Sequence, residues 1–207
     1  MSPKVPVVSI VACLMPEMGI GHQGKLPWKL KQEMAYFRQV TTGTFNSDRR
    51  NAVVMGRKTW ESIPPKFRPL PGRVNVIVSR DHAHGLAPAT ESSDHVWQSN
   101  SLAKCLELLP QLVGDLERIF VIGGGEVYAQ TMLLNDYMLM TEIRPEDGTE
   151  QPPMDTFLDR GKISQLYQRN DDVAGFLPSN VQLPNVPQIR EKGYVYEFAL
   201  YKRRPEA

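Results

Sequence analysis

Cysteine is nearly missing from this chain, and so are long apolar runs and any excess of charge. The 207 residues hold two cysteines, Cys13 and Cys105. Two thiols make no disulfide framework. Cys13 falls in an apolar strand pattern and Cys105 in a helical one, so both read as core thiols of a reducing compartment. No stretch reaches the roughly 18 consecutive apolar residues that a membrane span needs. The opening MSPKVPVVSIVAC lacks a signal-peptide core with a small-residue cleavage site and runs straight into a strand pattern. Lys and Arg number 24 against 23 Asp and Glu, a formal +1, whereas a nucleic-acid binder would show a basic excess. The expectation is a soluble intracellular, cytoplasmic monomer with no membrane and no nucleic acid as its main partner. The length suits one domain over 1–207.

What the chain does have is short apolar, β-branched runs alternating with helical patterns. Strands are expected over 5–14, 51–55, 73–79, 95–99, 118–123, 136–143 and 194–203. Helices are expected over 29–41, over GRKTWESIP up to Pro64 and Pro65, over 101–109 with Ser101 as N-cap, and over 126–134. Near-continuous apolar strands separated by helices indicate an α/β fold, a mostly parallel sheet flanked by helices on both faces. The last strand has no helix immediately before it, so an antiparallel C-terminal edge is expected. Residues 145–192, rich in Pro, Asp, Asn and Gln, are expected to be mainly surface excursions.

One carboxylate is out of place. At about 100° per residue, Leu30, Met34, Phe37 and Val40 project to one side of the first helix, and Glu33 projects among them. A buried unpaired charge is costly, so such a group finds a partner or a raised pKa. A glycine-rich loop with Gly19, Gly21 and Gly24 leads into this helix, and an acid beside a loop that can close is a candidate for proton chemistry. The plainer alternative is an acid that rolls to the stripe edge and stays solvated.

Three strand ends, where α/β sheets bind ligands, carry unusual residues. Gly56, Arg57 and Lys58 in MGRKTW lie at a helix start, Ser79 and Arg80 in VSRD follow the third strand, and three glycines in FVIGGGEVY separate a strand from a helix. A glycine turn alone can be an ordinary tight turn, and this one does not fit G-x-G-x-x-G. Arg57 and Arg80 together point to a cofactor with an extra phosphate, NADP rather than NAD. At roughly 1.5–3 kcal/mol per charge-assisted bond they would give a preference of about 10² to 10⁴. The proline-stiffened PPKFRPLPGR ends in Arg73, either a solvated surface arginine or a fork aimed at a substrate carboxylate.

IVA (10–12), GIG…LPW (19–28), Glu33 with Phe37, MGRKTWESIP (55–64), RPL (68–70), Arg73, VSR (78–80), IGGGEVY (122–128) and DTF (155–157) occur in one order and spacing. With these motifs the chain resembles the dihydrofolate reductases, in arrangement the fungal members. The resemblance implies an eight-stranded sheet and NADPH-dependent reduction of 7,8-dihydrofolate to 5,6,7,8-tetrahydrofolate, with folate and antifolate inhibitors as further ligands. It makes Glu33 the pterin-binding acid, Trp28 the residue that orders a water, and Thr141 the hydroxyl that bonds the acid. Ala12, Met34, Phe37, Ile63 and Leu70 become apolar walls, and Arg73 the clamp for the glutamate α-carboxylate. The carbonyls of Ile10 and Ile122, with Val11 beside Ile10, face the pterin. Arg57, Lys58, Thr59, Ser79 and Arg80, with Gly56, fall on the adenosine 2′-phosphate side. Gly123, Gly124, Gly125, Glu126, Val127 and Tyr128 fall on the pyrophosphate and nicotinamide side, with Gly123–Gly124 a cis peptide. Ala12, Gly19, Ile20, Gly24, Lys25 and Leu26 complete the cofactor set. Met34 stands where an aromatic often sits.

Two rivals remain open at this level. A reductase acting on a riboflavin-pathway pyrimidine would need the glycine turn but not LPW, Glu33 and Arg73 together. A silent NADPH- or RNA-binding scaffold would not need Glu33, Trp28 and Thr141 intact. His22 reads as a solvated loop residue, His82 and His84 lack a third metal ligand, and Tyr194, Tyr196, Phe198 and Tyr201 read as sheet packing.

Overall fold

In the computed structural model, residues 4–90 and 95–205 are described; residues 1–3, 91–94 and 206–207 of the expected single domain lie outside them. In chain order the elements are β1 (Val7–Leu14), β2 (Gly19–Gly21), α1 (Lys31–Thr42), β3 (Arg50–Gly56), α2 (Arg57–Ser62), a 3-10 turn (Pro65–Phe67), β4 (Arg73–Val78), β5 (Ala87–Pro88), β6 (Val96–Ser99), α3 (Leu102–Leu112), β7 (Leu116–Val121) and α4 (Gly125–Thr131). They continue with β8 (Tyr137–Pro145), β9 (Thr156–Phe157), α5 (Arg160–Leu166), β10 (Tyr167–Asn170), α6 (Val173–Phe176), β11 (Ile189–Glu191) and β12 (Tyr194–Arg203).

All strands join one sheet, in the order β10-β12-β8-β1-β7-β3-β4-β6-β5 along its main path. Its centre, from β8 through β1, β7, β3 and β4 to β6, is parallel. Parallel neighbours need crossovers, which α1, α3 and α4 help supply. The C-terminal edge is antiparallel: β12 pairs with β8, β10 and β11. The sheet has twelve strands where eight were expected; β2, β5, β9 and β11 have only two or three residues each.

Alternation along the strands separates two core clusters. Val7, Val11 and Cys13 of β1 pack on one face with Ile119, Val121 and Met140. Val8 and Ile10 face the other way, toward Tyr36, Val40, Phe120 and Leu139. Parallel pairing places the carboxyl ends of β1, β3, β4 and β7 on one side, where the sequence carries its glycines and cations.

Several boundaries differ from the sequence reading. α3 runs past Pro110 to Leu112, its last turn closed by the Val113 N–H on the Leu109 carbonyl at 2.9 Å. Proline lacks only one donor, and the helix ends two residues later. Ser101 does cap it, accepting from the Lys104 N–H at 3.3 Å. Residues 145–192 carry five short elements, β9, α5, β10, α6 and β11, and most of the segment lies outside helices and strands. Their starts are local, with Asp159 accepting the Lys162 N–H and Asp172 the Gly175 N–H. β10 carries Tyr167 buried and three exposed polar residues, too short and too polar to show strand periodicity.

α1 is turned relative to the expected stripe. Its buried residues are Glu33, Tyr36, Val40 and Thr41, while Met34 is 53% exposed. Tyr36, at 3% exposure, takes the inward position and stacks on Phe198 with ring centroids 3.6 Å apart. Phe37 is half-buried.

Candidate active site

Glu33 lies in the first turn of α1 and is 7% exposed. From β8, the Thr141 hydroxyl donates to Glu33 Oε1 at 3.3 Å. Burial pushes the carboxyl from 4.5 up to about 7; the Thr141 hydrogen bond opposes this, and the negative charge of Glu191 adds to it. The solvated alternative for Glu33 is thereby set aside. Thr141 can face Glu33 because it shares the side of β8 used by Leu139 and Ile143, and Glu142 points to the opposite side.

Trp28 is buried among Leu14, Leu30, Ile143, Ile189 and Tyr196, with Ala12 against the same cluster. Its indole N–H has no hydrogen-bond partner among the described residues, a donor available to a water or a ligand. Ile10, Phe37, Ile63, Leu70 and Ile122 meet in a single apolar cluster. Two expected wall residues, Ala12 and Met34, fall outside it, Ala12 lying with the Trp28 cluster. Met34 is exposed because α1 turns Tyr36 inward, and the Val11 side chain packs on the opposite face of the sheet. What Val11 offers this side is backbone. The Ile10 carbonyl accepts the Tyr128 hydroxyl at 2.7 Å.

Arg73, at the start of β4, is 4% exposed. Its Nη1 donates to Thr41 Oγ1 at 2.7 Å and its Nε to the Pro71 carbonyl at 3.1 Å. It has no acidic partner among the described residues. Burial lowers the guanidinium to about 10, with Arg38 adding to the fall, so it remains a cation at neutral pH. The solvated-loop alternative does not hold for this residue.

The ends of β3 and β7 come together where the Gly56 N–H donates to the Gly123 carbonyl at 2.9 Å. Gly123–Gly124 is cis, and Gly123 has φ +108°. A side chain is excluded at Gly125, where a Cβ would lie 2.6 Å from Thr156 Cγ2, and is strained at Gly123, where it would lie 3.0 Å from Tyr128 Cε2; at Gly124 it would only touch Thr59 Oγ1 at 3.4 Å. Gly125→Ala should therefore push β9 away from the turn, and a raised KM for the dinucleotide would report it. Glu126 is exposed, and Val127 and Tyr128 are buried in the core behind α4.

The cationic group differs from expectation in one respect. Arg57 is already paired, 3.7 Å from Asp81 and 4.0 Å from Glu61. Asp81 also engages Ser79, its N–H donating to the serine hydroxyl at 3.3 Å. Lys58 and Arg80 are exposed and without acidic partners among the described residues.

The 17–26 loop is held from outside. Gly19 and Gly21 pair with β9, and Gly19 and Ile20 are buried. Asp155 accepts the Gln23 N–H at 2.7 Å. His22, expected to be solvated, is half-buried with Nδ1 3.6 Å from Asp155. Gly24 has φ +73°, and Lys25 and Leu26 are exposed. A cavity of about 390 Å³ lined by Leu14, Glu17, Gly19, Met154 and Phe157 underlies this loop.

Three neighbours of Glu33 escaped the sequence reading: Tyr36, Tyr196 and Glu191. Tyr196 is more than sheet packing, since its hydroxyl donates to Glu191 at 2.9 Å. Glu191 sits between Arg190 and Lys192 in a charged run that gives no local signal of its role.

A family profile described as dihydrofolate reductase matches residues 7–172. The chain is 50% identical to the dihydrofolate reductase of Saccharomyces cerevisiae, over 97% of this chain and 98% of that protein. Identity is 40% to the dihydrofolate reductase of Candida albicans, over 97% and 99%. It is 43% to that of Pneumocystis carinii, over 95% and 96%.

Proposed function

Because the chain belongs to the dihydrofolate reductase family, we propose that it catalyses NADPH-dependent reduction of 7,8-dihydrofolate to 5,6,7,8-tetrahydrofolate. The observation that carries this reading is Glu33, a carboxyl buried beside apolar walls and held by Thr141.

Ionised, Glu33 can accept the two parallel N–H donors of a 2-aminopyrimidine edge, as carboxylates accept other planar forks. Thr141 occupies Oε1 from the sheet side and fixes the carboxyl plane. Ile10, Phe37, Ile63, Leu70 and Ile122 enclose the ring and p-aminobenzoyl group, and Arg73 receives the glutamate α-carboxylate. Such fixed orientation supplies much of a bimolecular rate.

The residues fit a phosphorylated dinucleotide. The 123–125 turn presents bare backbone to an approaching phosphate, with side chains disfavoured at Gly123 and Gly125, and Lys58 and Arg80 present cations without acidic partners among the described residues. Bound there, NADPH would supply a hydride to C6 of the C6=N5 double bond. Closure of the 17–26 loop excludes water from the ring face. The other acid near Glu33, Glu191, is engaged by the Lys31, Gln32 and Tyr196 donors, so N5 takes its proton from water, with the Trp28 N–H positioned to order it. The ionised Glu33 raises the basicity of the ring it holds.

The test is the fall in absorbance at 340 nm with dihydrofolate and NADPH, and its block by methotrexate. Absence of any dihydrofolate-dependent fall would overturn the reading. Arg80→Leu should raise the KM for NADPH about 10- to 100-fold and leave that for NADH unchanged. Arg57→Leu should do less, since Asp81 and Glu61 already engage that guanidinium.

A further inference from the structure

We propose that Glu191 is a positioning residue for this reaction: its carboxylate reaches from β11 to the first-turn amides of α1 and sets where Glu33 is presented to the substrate. The inference rests on the reading of Glu33 as the substrate-holding acid.

The start of α1 lacks a cap of its own. The residue before it, Leu30, has a hydrocarbon side chain, and no side-chain cap is formed from within the segment. The first amides of a helix need acceptors, and a carboxylate there also meets the positive end of the helix dipole. Glu191 supplies both. The Lys31 N–H donates to Oε1 at 2.6 Å, and the Gln32 N–H donates to Oε2 at 3.2 Å. The next residue is Glu33.

Glu191 is itself held. Lys192 (φ +50°) and Gly193 (φ +79°) form a two-residue turn with both residues left-handed, which matches the twist of the β11–β12 hairpin. Tyr196, two residues further along β12, donates its hydroxyl to Glu191 Oε2 at 2.9 Å. Burial works against the Glu191 charge, but the Lys31, Gln32 and Tyr196 hydrogen bonds hold the carboxyl below its ordinary range. It is therefore an anion throughout neutral pH, and its charge opposes ionisation of Glu33. The hairpin thus fixes both the place of the catalytic acid and its readiness to ionise. The titratable and polar groups acting on Glu33 come from every side: Thr141 on β8, Glu191 on β11, Tyr196 on β12, Tyr128 on α4 and Tyr36 on α1 itself.

The experiment compares the full-length enzyme with Glu191→Gln, Glu191→Asp and Tyr196→Phe. It reads KM and kcat for dihydrofolate at saturating NADPH, and the titration of the Glu33 carboxyl by carboxyl infrared difference spectra. Glu191→Gln should raise KM several-fold and lower the Glu33 midpoint by roughly half a pH unit, because a like charge is removed. Glu191→Asp keeps the charge but is one methylene short, so it should restore the midpoint and leave KM raised. Tyr196→Phe should raise KM less and reads the same quantity if the glutamine variant fails to fold. A lower melting temperature with KM and the Glu33 midpoint unchanged would make Glu191 merely structural and overturn the proposal. Full turnover by Glu33→Gln would remove the reading beneath it, and the proposal with it.

Discussion

Glu33→Gln should slow dihydrofolate reduction by about 10² to 10³-fold at pH 7, the range typical of a lost electrostatic contact in a water-excluded site, and should stabilise the folded protein at the same time. The loss follows because an amide cannot carry the charge that holds the substrate edge and raises its basicity. Turnover should recover partly in acid, where solvent protonates N5 without that help. The gain in stability follows from burial. The carboxyl sits at about 7 in the fold against an ordinary 4.5. A carboxyl raised on folding contributes stability that is fully present below 4.5 and is lost as pH climbs through 7. At about 1.4 kcal/mol per pH unit, the loss reaches about 3 kcal/mol above neutrality. Glutamine has no charge to bury, so the melting temperature of the variant should exceed that of the parent clearly at pH 8 and little at pH 5. Equal turnover at pH 7, or a stability difference independent of pH, would remove Glu33 from its role.

Arg73→Leu should weaken dihydrofolate binding by about 10² and leave NADPH binding unchanged, the scale expected for a charge-assisted fork. The guanidinium is buried beside Arg38 with a hydroxyl and a carbonyl for partners, and no acid. Desolvating an unpaired cation is unfavourable, so the native protein holds a charge awaiting a ligand anion. Leucine removes that cost, and the variant should fold at least as well as the parent. Thr41 does not become stranded, since its hydroxyl also donates to the Phe37 carbonyl at 2.8 Å. Fluorescence titrations with dihydrofolate and with NADPH separate the two affinities. Equal weakening of both would make Arg73 structural.

These residues differ in how far the sequence exposed them. Glu33 was legible because helical periodicity is local, and Ser101 because an N-cap acts on an amide three residues away. The glycines at 123–125 were legible by composition, and they form a tight approach where a Cβ on Gly125 would clash. The outward turn of Met34 was not legible, because it depends on Tyr36 finding Phe198, which lies on the last strand of the sheet. The pairing of Arg57 with Asp81 joins the ends of two different strands. Glu191 was furthest from view: it caps a helix 160 residues away, and no window of sequence contains both. The short elements inside 145–192 were hidden for a related reason. They are two to seven residues long, held by packing on β12 and by side-chain caps, with too few residues each to show a period.

The site depends on the state of one carboxyl. The direct measurement is an infrared difference titration of the free enzyme, with the Glu33 band identified by its absence in Glu33→Gln. A midpoint near 7 is the result expected for a buried acid held by Thr141 and opposed by Glu191. A midpoint near the ordinary 4.5 would mean that Glu33 is solvated, and would contradict its place at the centre of the site.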